Sequence, residues 1–244
     1  MKKQSFLAII LAIALVLLSA CNFTVANGSG KVISQERQVS GFSKVSLSGI
    51  GQLIITQGTT ESLTIEAEDN ILPQITTSVV GDTLNIDFKN DNFQDNVIPT
   101  KPIIYHLSVK NIDGIQISGA GSVDATNLTS DNLSISSSGA GSVHMLTITA
   151  QSISSEVSGV GGVELSGKVT SQSINISGSG SYNAPDLESQ NATVVISGAG
   201  GATMWAKTSL NVTISGAGSV NYYDNPTITK NISGVSSITS RGNH

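Results

Sequence analysis

From residue 110 to the end of the chain, apolar side chains alternate with Ser, Thr and Asn. The alternation is re-phased at a six-residue motif, SGAGSV, found at 118–123, 138–143 and 215–220. Variants are SGVGGV at 158–163, SGSGSY at 177–182, SGAGGA at 197–202 and SGVSSI at 233–238, so successive copies start 20, 20, 19, 20, 18 and 18 residues apart. With the copies aligned on the first Ser, the preceding residue reads Ile117, Ser137, Val157, Ile176, Ile196, Ile214 and Ile232. Three before it come Ile115, Ile135, Ser155, Ile174, Val194, Val212 and Lys230, and five after it Val123, Val143, Val163, Tyr182, Ala202, Val220 and Ile238. A period of two is that of a strand with one buried face. Each copy therefore predicts strand, Gly-small-Gly corner, strand. Self-similarity at one short period over seven copies predicts a solenoid. The fold class expected is all-β: a right-handed parallel β-helix, or β-solenoid, with rungs of about 20 residues.

The glycines follow from that stacking. A corner repeated directly above itself, about 4.8 Å per rung, needs a residue that accepts positive φ or close backbone approach. A Gly-rich phosphate loop needs a single strand-loop-helix unit, whereas seven copies without helices indicate structural corners. Residues 32–109 lack the tight period yet still alternate, at Val45 and Leu47, at Leu63 and Ile65, and at Leu84, Ile86 and Phe88. Gly81-Asp82 predicts a hairpin turn. An early corner motif, SGIGQL at 48–53, lies 70 residues before Ser118, which requires larger or irregular turns between them. Residues 89–102, rich in Asn and Asp and closed by Pro99 and Pro102, predict a long loop.

The amino terminus adds an address. Lys2-Lys3 precedes an apolar run from Phe6 to Leu18, and Leu18-Ser19-Ala20-Cys21 follows. That run makes about 20 Å of helix, short of the roughly 30 Å hydrocarbon core, so it reads as a secretory leader. The tetrapeptide resembles the bacterial lipobox, in which the cysteine is lipidated and begins the mature protein. Cys21 is the only cysteine, so it has no internal disulfide partner. The organisation expected is a lipoprotein signal peptide at 1–20, a flexible tether at 21–31, an irregular β part at 32–109 and the repeat solenoid at 110–240. The membrane is then a partner through Cys21, and the location is the cell envelope outside the cytoplasm.

Ordered along the chain, FSKVSLSGIGQLIITQG at 42–58, TLNIDF at 83–88, PIIYHLSV at 102–109 and ISGAGSV at 117–123 resemble the head GIN domain family, described as "putative auto-transporter adhesins". The resemblance covers roughly 36–240. It implies a β-helical, secreted or lipid-anchored domain with an adhesin-like role, and brings no catalytic residues with it. No carboxy-terminal barrel sequence follows SSITSRGNH, so self-translocation through a barrel is not expected.

Charge and chemistry narrow the function further. The chain carries 12 basic residues, of which Lys2 and Lys3 fall in the leader, against 17 acidic ones. The resulting balance of −7 argues against nucleic acid or an anionic bilayer face, both of which need a basic stripe. A β-helix invites comparison with polysaccharide lyases and hydrolases, but those need an acidic cluster, a basic proton acceptor or paired carboxylates. Here Arg37 and Arg241 stand at opposite ends, the histidines are His106, His144 and His244, and the repeat's acids are scattered singly. The chain is expected to be no enzyme, with no cofactor or metal. A calcium β-roll needs a recurring Asp, whereas the residue six after the repeat Ser runs Asp124, His144, Glu164, Asn183, Thr203, Asn221, Thr239. The stretch Asp91–Asn96 reads as a solvated loop.

Two surface features remain. If the sixth position faces outward, Asp124, His144 and Glu164 form a polar column on consecutive rungs. Eight after the repeat Ser, Trp205 and Tyr223 share one offset, and alternation turns them outward while Met204 and Tyr222 point inward. Trp205, Tyr223 and Tyr222 form the candidate binding patch, for a glycan or a surface protein; the competing reading is that these rings cap the last rungs. The alternatives to an adhesin-like binder are a carbohydrate-active enzyme and a purely structural envelope scaffold.

Overall fold

A computed structural model describes residues 26–89 and 97–244. The expected signal peptide, Cys21 and the Asp91–Asn96 stretch lie outside the described residues. Nine short strands make the irregular part: β1 (Ala26–Asn27), β2 (Val32–Arg37), β3 (Lys44–Leu47), β4 (Gln52–Gln57), β5 (Ser62–Glu68), β6 (Ile75–Val80), β7 (Thr83–Phe88), β8 (Val97–Ile98) and β9 (Ile104–Val109). The repeat supplies β10 (Gly114–Ile117), β11 (Ser122–Thr126), β12 (Thr129–Ser137), β13 (Ser142–Val157), β14 (Gly162–Ile176), β15 (Ser181–Ile196), β16 (Gly201–Ile214), β17 (Ala217–Tyr223), β18 (Thr227–Ile232) and β19 (Val235–Ser240). Every pairing from β10 upward is parallel and in motif register, with Val123 beside Val143, Val143 beside Val163 and Val163 beside Tyr182. The chain folds as a β-solenoid.

The early motif explains its own odd spacing. SGIGQL stacks directly against SGAGSV, since Leu47 pairs with Ile117 and Leu53 with Val123. The residues between them build the opposite side of that rung, where β7 runs parallel to β3 and β9 parallel to β4. Antiparallel β5, β2 and β6 then close this end. The Gly81-Asp82 hairpin joins β6 to β7, with Gly81 at φ 62°, the positive value a type II′ turn needs first. The first rung thus begins one level inside the molecule, and the chain lays the cap beneath it before climbing.

The inward columns are the core. Ile117, Val157, Ile176, Ile196 and Ile214 are fully buried, as are Val123, Val143, Val163, Tyr182 and Val220. Each such side chain contributes about 1.5–3 kcal/mol of burial, and a slip of one residue would expose a whole column. Two columns contain serines: Ser137 and Ser155 are buried with hydroxyls that find no protein partner. A third polar site is satisfied. The Tyr182 hydroxyl donates to Gln172 Oε1 (2.8 Å), the Gln172 amide to Ser189 Oγ (2.8 Å), and Ser189 Oγ to the Trp205 carbonyl (2.7 Å). Burial drives the Tyr182 phenol pKa well above its ordinary value, so it stays a neutral donor.

Close approach, rather than positive φ, is what the repeat corners demand. A Cβ placed on Gly139 would lie 2.1 Å from the Gly119 carbonyl oxygen, and one on Gly141 2.6 Å from Ile117 Cγ2 and 2.7 Å from the Gly121 oxygen. Only the first corner adds left-handed backbone, at Gly49 (φ 125°) and Gly51 (φ 120°).

Residues 26–31, the last part of the expected tether, are held by the body. β1 pairs with β8, and Gly28 N–H donates to the Ile98 carbonyl (2.9 Å). Glu68, 1% exposed, receives Gly30 N–H (2.7 Å), Thr100 N–H (2.8 Å) and the Thr100 hydroxyl (2.5 Å). Burial alone would raise this carboxyl, but those hydrogen bonds outweigh it and hold its pKa below the usual range. Among the described residues, no helix is long and apolar enough to cross a membrane.

Candidate functional site

The stacking carries the sixth position onto one outer wall. Asp124, His144, Glu164, Asn183, Thr203 and Asn221 are register partners from β11 to β17. His144 Nδ1 lies 3.6 Å from Asp124 Oδ1, and Gln52 Nε2 donates to Asp124 Oδ2 at 2.8 Å. Glu164 is exposed one rung above. Geometry brings the three column residues together, and the close polar contact in it joins His144 to Asp124. A shallow trough of about 570 Å³ runs over this wall, lined by Ser142, His144, Glu164, Asn183, Thr203 and Asn221 among others. Its floor is low because Gly162 and Gly201 alternate with Ser142, Ser181 and Ser219 along the neighbouring column. Small side chains beside taller polar ones make a groove parallel to the solenoid axis.

At the upper end of this wall stand the aromatic residues. Trp205 pairs with Tyr223, and Met204 with Tyr222, across β16 and β17. Met204 is fully buried and Tyr222 packs against the core, whereas Trp205 and Tyr223 remain half-exposed. The Trp205 indole N–H donates to Asp224 Oδ2 at 2.6 Å. That bond is the main reason the Asp224 pKa lies below its ordinary value, against the opposing effect of partial burial.

Trp205 is also covered. The His244 imidazole stacks on it with ring centroids 4.1 Å apart and planes 11° from parallel. Tyr223 meets the same imidazole edge-on at 5.2 Å. His244 Nε2 lies 3.0 Å from Asp186 Oδ1, and its backbone N–H donates to Asp224 Oδ1 at 3.3 Å. The segment reaches this position because it continues the rung. Arg241 N–H donates to the Tyr222 carbonyl (2.8 Å), Asp224 N–H to the Gly242 carbonyl (2.9 Å), and Asn225 Nδ2 to Asn243 Oδ1 (3.1 Å). From below, Pro185–Leu187 bulge out of register between β15 and β16, and Asp186 lies in that bulge. Lys207 Nζ stands 6.0 Å from the Trp205 ring centre and 3.5 Å from Glu188, which Lys168 also approaches at 3.2 Å.

The candidate patch Trp205, Tyr222 and Tyr223 is therefore assembled, with Tyr222 turned into the core. Asp186, Asp224 and His244 join it, and alternation alone did not single them out. The 18-residue step that relates Asn225 to Asn243 was the available signal, because it extends the last rung to His244. Among the described residues, no group of three or more His, Cys, Asp or Glu side chains is placed to hold a metal ion.

Comparison with known proteins agrees with this architecture. No curated protein matches the sequence. A "putative adhesin" from Bacteroides fragilis superimposes with a TM-score of 0.83 at 29% identity, over 88% of this chain and 99% of its own. A "putative adhesin" and a "putative lipid binding protein", both from Parabacteroides distasonis, each give a TM-score of 0.68 over 89% of this chain. At 17% and 24% identity, over 100% and 99% of their own lengths, they share the fold. The names of these neighbours are those of adhesins and a binding protein, not of enzymes. Residues 41–226 match the family described as "Putative auto-transporter adhesin, head GIN domain", and the chain belongs to that family.

Proposed function

We propose that the protein is a lipid-anchored β-solenoid of the cell envelope that binds its partner without transforming it. The adhesin-like reading rests on one observation, the trough over β13 to β17. It is open, follows the solenoid axis and repeats hydrogen-bonding side chains at every rung. A repeating partner, such as a linear glycan, meets equivalent groups about every 4.8 Å along it. Paired carboxylates with separated pKa values, the mark of glycoside hydrolysis, are not what lines it.

The lipobox ending at Cys21 supports the anchor, and the docked N-terminal segment supports its consequence. Five peptide links join Cys21 to β1, a reach of about 17 Å at most. A lipidated Cys21 would hold the capped end near the bilayer and leave the last rungs distal. Trp205 in β16 stands six rungs above β9, about 29 Å along the axis.

The test is the full chain, solubilised in detergent, on an array of glycans and matrix proteins. Stoichiometric retention without product release, weakened by a His144→Ala, Asn183→Ala double variant, is the expected result. Release of cleaved product would establish an enzyme instead, and silence on both probe classes would leave a scaffold.

A further inference from the structure

The Trp205 site contains a ring already, and that ring belongs to the chain itself. An aromatic face lies parallel to an imidazole at 4.1 Å, Tyr223 closes one edge, and carboxylates from the rungs below and above accept from the imidazole edge and the adjoining backbone N–H. Asp224 is fixed by its bond to the indole N–H, so its second oxygen is presented rather than free to wander. The geometry points to a sugar-binding site at Trp205, Asp186 and Asp224 that is closed by the strap Arg241–His244, with His244 standing in for a pyranose ring.

The choice of a sugar follows from what the site offers. A stacked ligand needs one apolar face for the indole and donors around its rim for Asp186 and Asp224. A pyranose has both, with C–H groups on its face and hydroxyls projecting near the ring plane. Anionic ligands are disfavoured, because two carboxylates face the ring and the nearest ammonium, Lys207, is held by Glu188. The enclosure is also slight: Asp186 is 68% exposed at its side chain, so a ring within a longer chain can enter from the side. The strap is attached by backbone and side-chain bonds at Arg241, Gly242 and Asn243, all at the rim, and none of them runs through the core. Its departure leaves β16 and β17 paired.

This assignment deepens the adhesin-like reading and rests on it, but it uses different residues from the trough. A closed strap lowers apparent affinity by the fraction of time the site stands open, so a site closed nine-tenths of the time gains about tenfold on opening. Trp205 is the only tryptophan, and its fluorescence reports the covered face alone. In full-length protein, His244→Ala is expected to red-shift the emission and make it more accessible to acrylamide. On an array of immobilised oligosaccharides, His244→Ala should bind a set of glycans sharing one exposed pyranose at about tenfold lower concentration than the wild type. Adding Trp205→Ala should abolish that gain, while Trp205→Phe, which keeps an aromatic face, should retain part of it.

Unchanged emission and quenching in His244→Ala would overturn the strap. A fluorescence change without any gained glycan, or with arginine-bearing peptides gained instead, would overturn the sugar assignment. Binding lost in the His144→Ala, Asn183→Ala variant but indifferent to His244 and Trp205 would leave the trough reading standing and remove this one. Binding with the opposite dependence would remove the trough as the contact surface and leave adhesin-like binding at the Trp205 site.

Discussion

Replacing Gly139 by valine perturbs one repeated corner and nothing else, which makes it the sharpest test of why the motif exists. The new Cβ would lie 2.1 Å from the Gly119 carbonyl oxygen in the rung below. That oxygen accepts Ala140 N–H (3.1 Å), and the Gly139 carbonyl in turn accepts Val160 N–H (3.1 Å). Separating the rungs loosens both bonds, each worth about 1 kcal/mol net. Overpacking adds about 1–3 kcal/mol, since the obstacle is backbone and cannot change rotamer. The expected cost is about 3–5 kcal/mol, a large share of the roughly 5–15 kcal/mol that holds a domain together. Urea denaturation measures it as a fall in midpoint at constant m-value. Ser142→Ala, on the exposed side of the same corner, should stay within about 0.5 kcal/mol of the wild type. Asparagine separates the two possible causes, because it tolerates positive φ but still carries a Cβ. Gly139→Asn should be as damaging as Gly139→Ala, whereas Gly81→Asn, at φ 62° with nothing within 4 Å, meets backbone strain but no collision and should cost only about 1 kcal/mol. Midpoints for Gly139→Val and Gly139→Asn equal to that of Ser142→Ala would refute the close-approach argument.

Cys21→Ser should abolish incorporation of metabolically supplied palmitate and release the protein from membranes or leave its leader uncleaved; labelling equal to wild type would discard the anchor. Ser137→Ala should raise the urea midpoint by the equivalent of about 1 kcal/mol, because it removes a buried hydroxyl without a partner from between Ile117 and Val157. Glu68 has a lowered pKa, so the stability it contributes is complete above the ordinary carboxylate range and disappears as pH falls through the folded-state value. Hydrogen-exchange protection at residues 28–30, corrected for the intrinsic rate at each pH, should therefore fall selectively in acid, and Glu68→Gln should show the lower protection already at neutral pH. Equal protection in Glu68→Gln and wild type would rule out the carboxylate as the clamp.

What the sequence made legible was whatever repeats. Alternation exposes the inward columns because a one-sided strand buries every second residue, and Val123, Val143 and Val163 are found side by side for that reason. It also turned Trp205 outward and Met204 inward, since the same parity continues past the corner. The cap resisted, because its strands pair antiparallel with partners far along the chain, and no period links Glu68 to Gly30 and Thr100. The covered face of Trp205 resisted for a different reason. Asp186 reaches His244 from a three-residue bulge that breaks the parity used to predict orientation, and Asp224 sits at φ 67°, where strand alternation no longer applies. Both carboxylates of the proposed sugar site thus lie where the repeat fails. That placement is physically coherent. A perfect rung presents the same side-chain direction at every level and can only build a wall, so a site that closes around a ring needs residues the repeat does not control. The regular wall offers a trough to a long partner, and its irregular upper rim offers one ring-sized place where the chain's own histidine now lies.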